Sequence, residues 1–322
     1  MKLSIIISNR NDLVMLNLTL NSAIESIKGL NGSCEIIVVD NSDEKIYKLM
    51  GTVCPSGMKK HYNVKMFRQE EICFTSARML AAEKAQGEYI FCVDSHVLFG
   101  HNTLKNSLDF MERHKDEKML GFGHPPIRWA HQGPKIMRHE MNLSPEGLPT
   151  GGWGRQIHEE SKMFWKFMPW ICRRDWYLNT LKGYGTHSDE MLSWGGAELL
   201  QQLKSLMLGY NNWAIISDPI IHIGPYTQDI VKTGHYKYRV YAANGNKPHG
   251  FGVLVAYAVL GGPDIGYKHA KLAEEKFTKI HHIKVDDYWD DALKMALPEY
   301  NWIQKHKKYD YLELLKKRPW ND

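Results

Sequence analysis

The chain has 322 residues, 43% of them hydrophobic and 24% charged, and its formal net charge is +5. This is the composition of an ordinary globular protein, long enough for one α/β domain with an extension or for two small domains. The small positive charge favours anionic partners such as nucleotide phosphates, nucleic acid or a membrane surface, without deciding among them.

Several classes of protein are excluded by features that the sequence lacks. No apolar run approaches the roughly 18 residues of a membrane helix, and the first apolar run is too short for a signal peptide. The five cysteines are odd in number and widely spaced, with no CxxC pair, so the sequence indicates neither a disulfide framework nor a zinc site. We therefore expect no transmembrane segment and a reducing, cytoplasmic setting.

The first elements predict a parallel β/α unit. Residues 3–8 form a β-branched run typical of a strand buried on both faces, and residues 34–40 repeat that pattern. Between them, apolar residues recur at helical spacing over 13–27, with Asn11 or Asp12 available to cap the helix. A strand, a helix and a strand in this order predict a right-handed parallel connection.

The ends of these strands are where a ligand is expected. Ligands of parallel sheets bind beyond the carboxyl ends of the strands, where Ser8, Asp40 and Asp94 would lie. The first turn, residues 8–12, has none of the glycines that a dinucleotide fold needs for close approach to a pyrophosphate. This argues against a nicotinamide enzyme, and a bound diphosphate would need a metal ion to neutralise it.

A carboxylate and an imidazole follow the strand predicted at 89–93. Because residues i and i+2 of a strand project to the same face, Asp94 and His96 are expected to converge on one cation. Carboxylate plus imidazole is a plausible ligand set for Mn²⁺ or another divalent cation. Taken alone, the pair is more often a loop aspartate and a surface histidine, so the rest of the chain must decide.

Three further elements surround this strand in the sequence. Residues 62–67 predict a strand, 74–86 a helix that leads into the 89–93 strand, and 101–114 another helix. Arg78 lies on the second of these elements. It is either a solvated helix residue or a contact to a bound ligand or a site carboxylate, and the pattern leaves both readings open.

Periodicity is lost over residues 121–166, where glycine, proline, histidine and tryptophan are frequent. A loop of this length in a compact domain is usually functional or disordered, and its aromatic and histidine content favours a binding loop. A strand at 167–172 and a short helix at 175–181 are predicted after it.

A tight turn, Trp194-Gly195-Gly196, is predicted to open a helix at Ala197 and Glu198. A glutamate in a first helical turn is favoured by the helix dipole alone, or it could meet an acceptor hydroxyl beside the sheet. One or two strands follow over 213–223 and carry His222 between isoleucines. A lone histidine in an apolar strand is usually a core residue, but the place of His222 after the glutamate-bearing helix gives more weight to a role as a ligand.

The chain changes character near residue 226. Helices are predicted at 253–260, 269–280, 288–295 and 309–317, which suggests a domain at 1–225 and a helical, acceptor-binding extension at 226–322. The tail carries a basic stretch interleaved with aromatics. Such a stretch is usually a solvated helix face; the alternative is a patch for phosphate backbones or anionic lipids. Its members are Lys305, Lys307, Lys308, Lys316, Lys317 and Arg318.

With these motifs assembled in order, residues 2–225 resemble the family-two glycosyltransferases of the GT-A fold. The closest resemblance is to the polypeptide N-acetylgalactosaminyltransferase-like branch, whose metal motif is Asp-Ser-His. The segments that carry it are SIIISNRND, EIIVVDNSD, the helix and strand leading to DSH, WGGAE and IIHIG. It implies an α/β, Rossmann-like nucleotide-diphospho-sugar transferase with a mostly parallel sheet flanked by helices and a helical C-terminal extension.

The resemblance also implies a role for each site residue. The ion would hold the diphosphate of UDP, and the nucleoside would lie at the second strand. The implied metal ligands are Asp94, His96 and His222, the donor-binding residues are Ser8, Asn9, Asp40, Arg78 and Asp94, and the catalytic, acceptor-side residues are Trp194 and Glu198.

The implied function is metal-dependent transfer of GalNAc, GlcNAc or another hexose from a UDP-sugar to a hydroxyl. The acceptor is a polysaccharide or lipid-linked glycan, a protein, or a hydroxymethylated DNA base. Because Ala197 stands where the family often has glutamate, Glu198 is either the base of an inverting reaction or an orienting residue in a retaining one. One alternative is a non-catalytic nucleotide-sugar or glycan-binding module. Another is a nucleotidyltransferase, but that class normally opens with a glycine- and basic-rich loop, which residues 8–12 lack.

Overall fold

The structure is a computed structural model of the chain. It describes residues 1–28, 30, 34–53, 62–70, 73–129, 138–143, 149–154, 159–163, 168–184, 197–223, 247–276, 278 and 283–317. The predicted turn at Trp194 lies outside these ranges.

The described chain alternates strands and helices in its first half and is helical in its last third. Its strands are β1 (Leu3–Asn9), β2 (Cys34–Asp40), β3 (Val64–Arg68), β4 (Tyr89–Asp94), β5 (Val97–Leu98), β6 (Leu120–His124), β7 (Ile127–Trp129), β8 (Arg138–Leu143), β9 (Pro149–Gly154), β10 (Ser161–Met163), β11 (Trp170–Arg173), β12 (Asn211–Ala214) and β13 (Ile220–His222). Its α-helices are α1 (Leu13–Ile27), α2 (Glu44–Tyr47), α3 (Met50–Val53), α4 (Phe74–Lys84), α5 (Thr103–Arg113), α6 (Ala197–Met207), α7 (Lys247–Gly261), α8 (Tyr267–Leu272), α9 (Glu274–Lys276), α10 (Val285–His306) and α11 (Tyr311–Lys317). Two short π-helical segments are Trp176–Thr180 and Gly262–Gly266.

The predicted β/α unit is confirmed. Strand β1 pairs parallel with β2, and the helix between them begins at Leu13 as the apolar spacing indicated. Asp12 caps that helix by accepting a hydrogen bond from the backbone N–H of Met15 at 3.3 Å. This cap satisfies one of the free amide groups of the first turn.

The central sheet has eight strands in the order β10-β12-β6-β11-β4-β1-β2-β3. Neighbours from β4 to β3 are parallel, whereas β11 runs antiparallel to both β4 and β6. In the parallel part, Ser8 is opposite Asp94 and Asn9 is opposite Asp40. The carboxyl ends of β1, β2 and β4 are therefore level, which brings their terminal polar residues to one edge.

Helices cover both faces of this sheet. The face under α1 and α5 is closed by buried side chains that include Leu16 and Leu104. On the opposite face, α4 and α6 share one buried cluster with the C-terminal helices α7 and α10. The predicted boundary near residue 225 falls outside the described residues, and the division into two domains stays a prediction.

The segment at 121–166, predicted as a loop, instead contains strands wherever it is described. Strand β6 is fully buried and pairs with β11 and β12. Its glycines hid it from a reading based on strand-forming residues, but they are needed there. A Cβ at Gly121 would lie 2.8 Å from Ser205 Oγ and 2.9 Å from the carbonyl oxygen of Asn211. Glycine thus allows α6 and β12 to approach this strand closely.

Three short strands form a second sheet that bears on the site. Strand β13 lies between β5, which is antiparallel to it, and β7, which is parallel to it. This pairing sets His222 opposite Val97, directly after the Asp94 to His96 turn. The backbone N–H of Ile223 also donates to the carbonyl oxygen of His96 at 2.9 Å.

Helices lie at all four predicted C-terminal positions, but their bounds differ: the region predicted as one helix at 269–280 overlaps the short helices α8 and α9, and α11 begins at Tyr311. The other two are longer than predicted. The helix predicted at 288–295 extends through α10 over Val285–His306, and the one predicted at 253–260 begins at Lys247. Among the described residues, no helix combines the length and the apolar character needed to cross a membrane.

Candidate functional site

Asp94 and His96 come together, but by a turn and not along a strand as predicted. Strand β4 ends at Asp94, and residues 95 and 96 turn before β5 begins in the other sheet. Thr19 of α1 is fully buried and fixes this turn. Its hydroxyl bonds to the carbonyl oxygen of Ser95 at 2.9 Å and accepts from the N–H of Val97 at 3.0 Å. No pattern in the sequence indicated this role of a helix threonine.

His222 completes a cluster of three candidate ligand residues, one carboxylate and two imidazoles. Its Nε2 lies 3.5 Å from Asp94 Oδ2, and His96 Nε2 lies 4.0 Å from the same oxygen. The two imidazoles meet edge to face, with ring centroids 4.6 Å apart. One ligand atom from each residue lies within 4.8 Å of those of the other two. Three residues predicted as metal ligands are thus adjacent, although they come from segments more than 120 positions apart.

Arg78 holds the other oxygen of Asp94. Its Nη2 donates to Asp94 Oδ1 at 2.8 Å, and the arginine side chain is only 3% exposed. Of the two sequence interpretations, the contact to a site carboxylate is therefore the one the structure shows. Burial raises the pKa of Asp94, but the hydrogen bond from His222 and the charge of Arg78 outweigh it and hold that pKa well below its usual range.

Tyr184 is a neighbour that sequence reasoning missed. Its hydroxyl accepts a hydrogen bond from Arg78 Nη1 at 3.1 Å, and the tyrosine is 1% exposed. The guanidinium also lies over the ring of Phe74, 4.5 Å from its centroid. Arg78 is thus fixed on three sides. A tyrosine ten positions before a WGG turn carries no recognisable signal in a single sequence.

Asp40 organises the adjacent part of the edge. It is fully buried, and its oxygens accept four hydrogen bonds, from Asn9 Nδ2, from the hydroxyl and N–H of Ser42, and from Arg68 Nη1. Ser8 is half-buried at the end of β1, opposite Asp94. Asn9 is 1% exposed, and its Oδ1 has no hydrogen-bond partner among the described residues. The edge therefore keeps one buried acceptor available.

Arg68 is a second residue that sequence reasoning missed. It ends β3 opposite Asp40, pairs with that carboxylate at 3.3 Å, and lies over the ring of Tyr47 at 4.4 Å. It could have been found, because β3 was predicted in the parallel sheet and its carboxyl end falls at the same edge. Its side chain is 22% exposed, so it can still meet a ligand.

The two predicted acceptor-side residues are described only in part. Trp194 lies outside the described residues. Glu198 is the second residue of α6, as predicted, and its side chain is not described. Their roles stay predictions.

The three-residue cluster suits a divalent cation. A carboxylate oxygen and two imidazole nitrogens are ligands that Mn²⁺ and related ions accept. Ligand atoms of one ion, each bound at about 2.1 Å, lie about 3 Å apart in an octahedral arrangement, slightly less than the 3.5 and 4.0 Å separations here. Binding one ion would therefore require the three ligand atoms, which lie within 4.8 Å of one another, to move closer together.

Sequence comparison assigns the first part of the chain to a known family model. Residues 4–139 match the model described as glycosyl transferase family 2. A curated protein of Rickettsia bellii (strain RML369-C), named an uncharacterized glycosyltransferase, is 35% identical over 112 residues. That match covers 34% of this chain and 15% of the relative, so the chain corresponds to a small part of that protein.

Solved structures extend the similarity over nearly the whole chain. TarS of S. aureus in complex with UDP-GlcNAc matches with a TM-score of 0.53 at 14% identity, covering 99% of this chain and 87% of that one. GalNAc-T7 with UDP, GalNAc and Mn²⁺ matches with a TM-score of 0.61 at 15% identity, covering 95% of this chain and 58% of that one.

The fold is therefore the GT-A glycosyltransferase fold, with a mostly parallel central sheet, flanking helices and further helices at the C-terminal end. Residues 4–139 thus match a family-two glycosyltransferase model within a chain that has the GT-A fold. This agrees with the family resemblance of the sequence motifs.

Proposed function

We propose that this protein is a metal-dependent glycosyltransferase that moves a sugar from a UDP-sugar to a hydroxyl acceptor. The observation that carries the proposal is the adjacency of Asp94, His96 and His222 at the carboxyl edge of a GT-A sheet. In the reaction, the bond from the anomeric carbon to the β-phosphate oxygen breaks and a bond to the acceptor oxygen forms. The products are UDP, the glycosylated acceptor and a proton.

The metal ligands in this proposal are Asp94, His96 and His222, with Mn²⁺ as the first candidate. When bound, such an ion neutralises the charge that develops on the departing diphosphate. Arg78 takes Asp94 Oδ1, so Oδ2 remains turned toward both imidazoles. Support of this kind from outside the ligand set orients a metal ligand and usually contributes to affinity.

The nucleoside is assigned to the edge formed by Ser8, Asn9, Asp40 and Arg68. Asn9 Oδ1 is a buried acceptor suited to an N–H group of the base. Asp40 already accepts hydrogen bonds from Asn9 and Arg68, so it would hold those side chains in place for the ligand. These contacts favour the predicted position of the nucleoside, in which Asn9 would bind the base and Asp40 would hold Asn9 in place.

Trp194 and Glu198 are assigned to the sugar and acceptor side. In an inverting reaction Glu198 would take the proton of the acceptor hydroxyl; in a retaining one the departing phosphate would take it and Glu198 would orient the substrates. The donors to test first are UDP-GlcNAc and UDP-GalNAc, because the similar structures hold UDP-GlcNAc and UDP with GalNAc. Glycan, protein and hydroxymethylated DNA remain the candidate acceptors, and the cytoplasmic setting remains a prediction.

The test is a thermal-shift panel of UDP-sugars with and without Mn²⁺, followed by measurement of UDP release. A ligand that binds the folded state raises the apparent melting temperature by mass action, so the true donor should stand out. We expect a shift that needs Mn²⁺ and UDP release that Asp94→Asn removes.

Three outcomes would contradict the proposal in whole or in part. A flat response to every UDP-sugar would defeat the assignment of the donor. A clear shift without UDP release, in the presence of each candidate acceptor class, would instead identify a non-catalytic binding module. A shift and release that are indifferent to Mn²⁺ and EDTA would remove the metal from the proposal.

A further inference from the structure

A buried ion pair joins α6 to the C-terminal helix α10. Lys204 of α6 and Glu299 of α10 are paired, and both side chains are 0% exposed. The ammonium group also lies 5.0 Å from the ring centroid of Trp302, one turn further along α10. Neither residue belongs to the site described above, and the proposed chemistry makes no use of them.

Such a pair is poorly explained by stability alone. Removing two charges from water costs several kcal/mol per ion, and the attraction between them often does no more than repay that cost. Two apolar side chains of similar size would fill the same space at least as well. What an ion pair adds is a directional contact that is satisfied in one relative setting of the two helices and lost in others.

Other polar contacts hold α6 in the same position relative to its neighbours. At its C-terminal end, the backbone N–H groups of Lys308 and Tyr309 donate to the carbonyl oxygen of Met207, at 2.7 and 3.1 Å. These two residues follow α10 in the chain, so the C-terminal region reaches the helix at two points.

The sheet holds the opposite side of α6. The side chain of Gln202 accepts from Asn212 Nδ2 at 3.0 Å, and its Oε1 also lies 3.0 Å from His124 Nε2. Ser205 donates to Asn212 Oδ1 at 3.1 Å. All four side chains are buried. The helix is therefore fixed both toward the sheet and toward the C-terminal helices.

We propose that the C-terminal helices act as an internal clamp, in which Lys204 and Glu299 are positioning residues that set α6 for glycosyl transfer. The inference rests on the proposed function, because α6 carries Glu198, the proposed acceptor-side residue, in its first turn. Lys204 is six residues further along, about 9 Å at 1.5 Å per residue. A shift of the helix at Lys204 is therefore transmitted to Glu198 by a rigid element, and displacement by about 1 Å can cost up to roughly 100-fold in rate.

The test replaces the pair by apolar residues of similar volume, as Lys204→Met with Glu299→Leu. We expect the melting temperature to stay within a few degrees, since such replacements are often neutral or stabilising. For UDP release from UDP-GlcNAc or UDP-GalNAc with Mn²⁺, kcat should fall roughly 10- to 100-fold, with KM for the donor within about twofold. Amide hydrogen exchange in residues 201–207, whose N–H groups are bonded within the helix, should become faster because the helix is no longer held in one position.

The matched control is the exposed ion pair Lys271–Asp286, which links α8 to α10 at 3.0 Å. Lys271→Met with Asp286→Leu removes a charge pair from the same region while leaving the contacts of α6 in place. It should alter neither kcat nor exchange in α6. If the Lys204 and Glu299 double variant does not fold, Glu299→Asp serves instead, because it keeps the charge but withdraws the carboxylate by one methylene, and the same fall in kcat is expected.

Failure of this inference can be told apart from failure of the proposed function. If the wild-type protein releases no UDP from any donor, the proposed function fails, and the exchange measurement alone decides on the clamp. If a folded variant keeps both its kcat and its slow exchange in α6, the clamp is overturned whatever the donor. A loss of melting temperature with unchanged kcat overturns it as well, because the pair would then serve stability alone.

Discussion

Strand β2, paired with β1 and β3, carries a buried carboxylate near each of its ends, Glu35 at the amino end and Asp40 at the carboxyl end. The two carboxylates differ in how their neighbours are arranged. At the amino end, Glu35 is fully buried and accepts hydrogen bonds from Ser4 Oγ at 2.6 Å, Lys65 Nζ at 2.7 Å and the N–H of Gln86 at 2.6 Å. The N–H of Gly87 in turn donates to Ser4 at 2.8 Å. This cluster is closed, and a Cβ at Gly87 would lie 2.6 Å from the nitrogen of Ser4.

At the carboxyl end the same strands supply Asn9, Asp40 and Arg68, but the cluster is open. Asn9 keeps a buried acceptor, Arg68 remains 22% exposed, and Asp94 on the neighbouring strand is 25% exposed between two imidazoles. A buried carboxylate with a cationic partner is therefore not by itself a sign of function in this protein. What distinguishes the carboxyl end, where the site is proposed, is remaining capacity to bind a ligand, which the closed cluster lacks.

The largest effect should come from Asp94. Asparagine at this position keeps the size of the side chain and a carbonyl oxygen for Arg78, but it removes the charge that a cation needs. We expect Asp94→Asn to lower kcat/KM for UDP release by more than roughly 100-fold. Steady-state kinetics at saturating Mn²⁺ measure this. Activity near the wild-type level in a folded variant would remove Asp94 from the site.

His222 should have the next largest effect. It approaches Asp94 Oδ2 at 3.5 Å and is buried, so His222→Ala should weaken Mn²⁺ binding about 10- to 100-fold. Isothermal titration with Mn²⁺ and UDP measures the affinity directly. The matched control is His101→Ala, since His101 is exposed and outside the cluster. Equal losses in both variants would mean that His222 is an ordinary core histidine.

The site residues differ in whether their positions could be predicted from the sequence. Strand ends at one edge follow from β-branched runs and from the rule for parallel connections, so Asp40 and Asp94 could be placed from the sequence. His222 could not be placed by pattern, because the short sheet of β5, β13 and β7 is made by long-range pairing of two- and three-residue strands. Its prediction came from the family resemblance.

The stretch at 121–166 shows the opposite case, in which a sound rule misled. Glycine, proline and histidine indicate loops because they are poor strand formers. Here Gly121 is buried, and tertiary packing against Ser205 and Asn211 overrides the local preference. Information of that kind resides in contacts far apart in the chain. Polar partners such as Tyr184 and Thr19 escaped prediction for the same reason.

Glu35 offers a test of the closed cluster. Burial raises the pKa of this carboxyl, but the hydrogen bonds from Lys65, Ser4 and the backbone of Gln86 outweigh it, so the pKa lies below its ordinary value. Ionised Glu35 therefore stabilises the folded state above the unfolded pKa of about 4.3, and this contribution is lost as the pH falls through the folded value.

We expect Glu35→Gln to lower the free energy of unfolding by about 1–3 kcal/mol at pH 7, because strong hydrogen bonds to a buried charge are weakened. Urea denaturation should show the largest difference from the wild type near neutral pH and a narrowing difference below about pH 4. The kcat for UDP release should not change. A fall in kcat comparable to that of Asp94→Asn would contradict the separation of the two ends.

The smallest effect is expected from the basic tail, whose described charged side chains do not converge on one point. Lys307 is paired with Asp310, and the stem of Lys308 lies against Gly209, so part of the stretch already has intramolecular contacts. Lys305 and Lys316 are exposed. Replacing both by alanine should change the free energy of unfolding by less than about 0.5 kcal/mol, as is usual for solvated charges.

The same double variant decides whether the tail binds nucleic acid. Contacts to DNA phosphates make affinity fall steeply with salt, so binding to a duplex should be compared at about 50 and 200 mM salt. We expect weak binding that the variant does not alter, and unchanged UDP release. A tenfold loss of duplex affinity in the variant, with a shallower salt dependence, would show that this surface binds phosphates. Two parts of the described chain, the carboxyl edge of the sheet and the basic tail, would then be able to bind an anion. A DNA acceptor would gain support.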